Sequence, residues 1–162
     1  MKRTSNIFKM LKKGHIAAIA AICLFASCAN DVAYHHYEHI AQDGWDKRDT
    51  ITFTVDTIRQ AGRYMTTLCM RSTAKYPYRN ISMRVFEEVR PSCKQFIHRM
   101  DFNIVNENGT QTGNGINYFT NEIPIGSLYL HPGDILMIKI GHNMRNETLH
   151  GIEDLGIKVT AQ

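Results

Sequence analysis

Asp49-Thr50-Ile51-Thr52-Phe53-Thr54-Val55-Asp56 decides the fold. Ile51, Phe53 and Val55 alternate with threonines and aspartates. A period of two puts the apolar side chains on one face of an extended chain and the polar ones on the other. Working outward, the same period returns in Ile81, Met83 and Val85, in Met100, Phe102 and Ile104, and in Leu155, Ile157 and Val159. Tyr64 to Met70 is a further β-rich stretch. Ile135 to Ile140 is almost continuously apolar, which suits a more central strand. Gln60-Ala61-Gly62, Asn106-Glu107-Asn108-Gly109 and His131-Pro132-Gly133-Asp134 punctuate these runs as turns, and Thr110 to Gly115 reads as a loop. Short, evenly spaced strands with no helical period predict an all-β fold, a single antiparallel β-sandwich domain.

The first residues follow another logic. Lys2, Arg3, Lys9, Lys12 and Lys13 precede the apolar run Ile16 to Phe25, and Phe25-Ala26-Ser27 leads into Cys28. A basic start, a short apolar segment and small residues describe a secretory signal. A cysteine at the cut resembles a bacterial lipobox, so Cys28 is the expected lipidation site. The expected organisation is a lipoprotein signal peptide over 1–27, a lipidated tether over 28–44 and the sandwich over 45–162. One acid, Asp31, lies close to Cys28, and the short acidic content favours a lipid-anchored protein of the outer membrane that faces the periplasm.

Removing the signal changes the charge. The chain holds 19 Lys and Arg against 15 Asp and Glu, for a net charge of +4. Five of the bases and none of the acids lie in 1–27, which leaves the remainder near −1. The basic balance belongs to the signal, and nucleic acid is not an expected partner.

Cys69 and Cys93 remain after the signal and Cys28 are set aside. In an oxidising compartment they could close a loop of 25 residues, worth about 2–4 kcal/mol. Two free thiols packed as small hydrophobes are the other reading.

Catalytic and metal chemistry find little support. Ser72, Ser82, Ser92 and Ser127 sit in no nucleophile elbow. Glu87-Glu88 and Glu153-Asp154 are neighbours, and neighbours in a strand point to opposite faces. Tyr34-His35-His36-Tyr37-Glu38-His39 is histidine-rich, yet no second cluster supplies converging ligands. No enzyme activity, metal or cofactor is expected. Tyr76-Pro77-Tyr78 before Asn80 is an aromatic turn that caps a sandwich end or stacks on a ligand. Asp49-Thr50-Ile51 and Asp56-Thr57-Ile58 match an acceptor pattern for O-glycosylation, making Thr50 and Thr57 candidate sites.

An ordered set of small motifs runs along the chain. Trp45 is followed by Asp49 and Phe53, and Arg71 by Tyr76-Pro77-Tyr78-Arg79-Asn80. Pro124, Leu130 and Gly133-Asp134 come next, then Met144-Arg145, Leu149, Gly151-Ile152 and Asp154 to Ile157. The set resembles the gliding motility lipoprotein GldH family of Bacteroidetes. The resemblance implies a non-catalytic envelope component that supports assembly or stability of the gliding motility or type IX secretion machinery. Its partners would be the membrane, through lipid on Cys28, and other envelope lipoproteins. Trp45, Arg71, Tyr76, Tyr78, Asn80, Arg145 and Asp154 become the candidate interaction or structural residues, with Arg71 and Arg145 expected to pair with Asp154 or Asp134. The alternative is a carbohydrate-binding β-sandwich lipoprotein in polysaccharide uptake, which needs Trp45, Tyr76, Tyr78 and Tyr118 on one exposed face.

Overall fold

The structure, a computed structural model, describes residues 32–162. The signal peptide and Cys28 lie outside the described residues. Ten strands form: β1 (Val32–His39), β2 (Trp45–Asp46), β3 (Ile51–Val55), β4 (Gly62–Ser72) and β5 (Asn80–Arg90), then β6 (Lys94–Asn103), β7 (Phe119–Leu130), β8 (Ile135–His142), β9 (Thr148–Leu149) and β10 (Ile152–Ala161). One four-stranded sheet has the order β1-β10-β4-β7 and the other β3-β8-β5-β6, with β2 and β9 as a small ribbon. Every ladder is antiparallel. The fold is the all-β sandwich that the alternation predicts.

The core lies between the two sheets. Leu68 and Met70 of β4 and Leu155, Ile157 and Val159 of β10 meet Phe53, Ile81, Met83, Val85, Ile138 and Ile140 of the second sheet. Ile135 to Ile140 falls in β8, flanked by β3 and β5, as its apolar run requires.

One segment differs from the sequence reading, and a second carries no assignment in it. Residues 32–39, assigned to the tether, are strand β1, paired with β10 from Val32↔Thr160 to His39↔Asp154. Their polarity fits an edge strand that carries its histidines on surfaces open to water. Phe119–Leu130, in which Pro124 and Gly126 break the pattern, is the twelve-residue strand β7. It too is an edge, where proline costs no ladder hydrogen bond, and the register shifts between Thr66 and Thr67 opposite these residues.

Cys69 and Cys93 are free thiols rather than a disulfide. Cys69 is buried in β4, in the middle of the first sheet, whereas Cys93 is exposed at the turn between β5 and β6 in the second. Arg90 to Gln95 holds that turn.

Candidate functional site

The residues of the motif set gather at two places. The first is an internal clamp at one end of the sandwich. Trp45 is 1 % exposed, and its indole N–H donates to the Asp49 carbonyl at 3.2 Å. The His142 ring packs edge-on against the indole at 5.1 Å, and its Nε2 donates to the Trp45 carbonyl at 3.2 Å. Burial holds the His142 imidazole below its ordinary pKa. Tyr76 is buried, stands edge-on to Tyr78 at 5.6 Å, and donates its hydroxyl to the Asn80 carbonyl at 3.0 Å. Burial pushes the Tyr76 hydroxyl up, with the nearby Tyr78 adding to the shift. Asn80 therefore serves through its backbone.

Gly151 locks this end to the last strand. Its φ is +84°, the left-handed region that favours glycine, and an added Cβ would lie 2.7 Å from Tyr76 Cα. The Thr73 amide donates to the Gly151 carbonyl at 2.8 Å. The Tyr-Pro-Tyr motif and the C-terminal glycine motif are thus two sides of one joint.

The second place is the outer face of the first sheet. Period two and the observed register put Tyr37 and His39 of β1, Asp154, Gly156 and Lys158 of β10, Cys69 and Arg71 of β4, and Glu122 of β7 side by side. Asp154 is the hub. Its Oδ1 accepts from His39 Nδ1 at 3.0 Å and its Oδ2 from Arg71 at 3.4 Å. The Arg71 guanidinium lies 4.1 Å from the Tyr37 ring centroid, a cation–π contact. Burial pushes the Tyr37 hydroxyl up to about 12, and the adjacent Cys69 thiol adds to the shift. Burial likewise raises the Cys69 thiol. Lys158 and Glu122 form an ion pair beside them.

His39, Arg71, Tyr118, Glu153 and Asp154 line a depression of about 190 Å³ on this face. Glu153 and Asp154 share it because a bulge between Ile152 and Asp154 breaks the strict alternation. The lining contains no Ser, Thr or Cys to act as nucleophile. It offers a carboxylate pair, a guanidinium, an imidazole and a phenol, which suits hydrogen bonding to a polar partner.

The alignment of these motifs covers nearly all of the described chain. The profile of the GldH lipoprotein family matches residues 32–159. The chain belongs to the GldH lipoprotein family. Membership makes it a gliding-motility-associated lipoprotein, a class associated with membranes through lipid. The match begins at the start of β1, so the histidine-rich strand belongs to the GldH domain.

No curated protein matches this GldH chain. Among solved structures, a family 35 carbohydrate binding module from Clostridium thermocellum is 16% identical, with a TM-score of 0.41, over 80% of this chain and 92% of that one. The Yersinia pseudotuberculosis-derived mitogen is 10% identical, with a TM-score of 0.37, over 80% and 85%.

The remaining sequence candidates fall elsewhere. Arg71 pairs with Asp154, but Arg145 is exposed and joins neither Asp154 nor Asp134, which instead accepts from the His131 amide at 2.9 Å. Trp45 and Tyr76 are buried while Tyr118 is 55 % exposed, so the four aromatic residues do not share an open face. Thr50 and Thr57 are exposed and flank β3 outside its ladder. Among the described residues no group of three or more His, Cys, Asp and Glu is placed to hold a metal ion.

Tyr37 and His39, read as part of the histidine-rich tether, and Glu153, read only as the neighbour of Asp154, join the outer face. A pair at the core was not anticipated. Glu87 is fully buried, and its Oε2 accepts from His98 Nε2 at 2.8 Å.

Proposed function

We propose that this GldH lipoprotein is a non-catalytic envelope component that supports assembly or stability of the gliding motility or type IX secretion machinery through protein contacts. The observation that carries the reading is the contrast between its two motif clusters. One is sealed inside as scaffold. The other displays Tyr37, His39, Arg71 and Asp154 on an outer sheet face, fixed by hydrogen bonds and ready to meet a polar protein surface.

The chain is lipidated on Cys28 in this reading and faces the periplasm from the outer membrane. Residues 1–27 are its signal peptide, and the folded domain starts at β1 rather than at residue 45. Thr50 and Thr57, each next to an aspartate and exposed, carry glycan; an intact mass equal to lipidated polypeptide alone would remove that part.

Affinity capture of tagged, lipidated protein from crosslinked envelopes tests the whole. Recovery of other motility or type IX lipoproteins, lost when Arg71 and His39 are replaced by Ala, is the expected result. Recovery of glycan-uptake transporters would overturn it, and so would partner capture indifferent to the outer-face variants.

A further inference from the structure

The two four-stranded sheets leave four edge strands among the described residues: β1 and β7 in one, β3 and β6 in the other. An open edge presents unpaired backbone donors and acceptors and is a template for another strand unless it is guarded. Three of the four are guarded. β1 carries a bulge near Val32 and exposes His35, His36 and Glu38. β3 is five residues long. β7 contains Pro124 and a register shift. β6 carries the exposed charges Lys94, Arg99 and Asp101, but it has no bulge, no proline and no shortening. It is ten residues long, pairs with β5 without interruption from Asn80↔Asn103 to Val89↔Lys94, and leaves Ile97 69 % and Phe96 37 % exposed.

The charges of β6 point to its occupant. Gln95, Ile97, Arg99, Asp101 and Asn103 lie on one face, and Phe96, His98, Met100 and Phe102 on the other. We propose that β6 pairs antiparallel with β6 of a second copy of this chain, about a two-fold axis through Met100. In that register Arg99 faces Asp101 of the other copy and Asp101 faces its Arg99, giving two cross-strand pairs of opposite charge. On the other face Met100 meets itself and His98 meets Phe102. Centring the axis on Arg99 instead would oppose two arginines, and centring it on His98 would leave both charges without a complementary partner. An isologous contact of this kind closes on itself as a dimer.

The test is disulfide trapping in membranes of cells that make the full lipidated chain, with Cys93→Ser removing the exposed native thiol. Met100→Cys should give an oxidised species of twice the mass. Ile97→Cys and Asn103→Cys should do so only when combined, because each is remote from itself across the axis. Thr54→Cys on β3 reports random collision. Adding Arg99→Asp to Met100→Cys should lower the trapped dimer at least fivefold by opposing like charges, and Arg99→Asp with Asp101→Arg should restore it. The proposal is overturned by a Met100→Cys dimer yield no greater than that of Thr54→Cys, by a charge swap that restores nothing, or by trapping of a protein of another mass.

Discussion

Tyr37 lies across Gly156, its opposite number in the β1–β10 ladder, so closely that a β-carbon on Gly156 would sit 2.6 Å from Tyr37 Cδ1 and 2.8 Å from the His36 carbonyl. A ring over a strand glycine recovers the packing that the missing side chain forgoes, and here it also supports the Arg71 guanidinium. Gly156→Ala should therefore destabilise the fold by about 1–3 kcal/mol, the range for overpacking a tight site. Gly141→Ala, where a β-carbon meets nothing within 4 Å, should stay within about 0.5 kcal/mol of the parent. Urea unfolding of the two variants checks the contrast.

Gly151→Ala should cost more than either. The substitution forces a β-carbon into the Tyr76 backbone at a left-handed φ. Both faults act at one position, and a loss of at least about 2 kcal/mol is expected. Tyr76→Phe, which only strips the hydroxyl from the Asn80 carbonyl, should cost about 1 kcal/mol. Thermal melts that rank the variants in the opposite order would refute the joint.

His142 sets a pH dependence. Burial lowers its pKa in the folded protein, so the unfolded chain binds the proton first as pH falls. Its contribution is fully present above the ordinary histidine value of about 6.5. It is lost progressively as pH falls from there through the lowered folded value. Denaturation at pH 7.5, 6.0 and 5.0 should show the stability gap between the parent and His142→Gln narrowing with acid. A constant gap would contradict the assignment.

Asp154→Ala should separate the outer face from the scaffold. Asp154 and its partners are partly exposed, so the loss of stability should be modest, about 1 kcal/mol or less. Partner capture should fall much further, because His39 and Arg71 lose the carboxylate that orients both. Equal losses in the two measurements would mark Asp154 as scaffold.

The strands that alternate cleanly were legible. Ile51 to Val55, Ile81 to Val85 and Leu155 to Val159 each bury one row, and period two states this without further information. The two edge strands of the first sheet, β1 and β7, were not. β1 reads as a polar tether, and Phe119–Leu130 shows no clean alternation around Pro124 and Gly126, because an edge has little to bury and tolerates residues that a central strand rejects. The Arg71–Asp154 pairing was anticipated from charge alone. Its extension to His39 depends on register, which only the assembled sheet supplies. Glu87 was within reach: it occupies a position in the alternating row of Ile81, Met83, Val85 and Val89, and a carboxylate in such a row demands a partner. Cys69 and Cys93 could not be placed, since sequence spacing does not say which sheet a strand joins.

The last strand of the chain stands in the middle of a sheet, between the first strand and β4. Neither neighbour has a complete ladder until Ile152–Ala161 arrives, and more than a hundred residues separate β1 from that partner. Such remote pairings fold slowly. In the exported lipoprotein proposed above, the order of translocation therefore works as a timer: the first sheet closes only once Ile152–Ala161 has crossed. A chain cut short before Ile152 loses the centre of its first sheet rather than a rim, leaving β1 without a ladder and β4 paired with β7 alone.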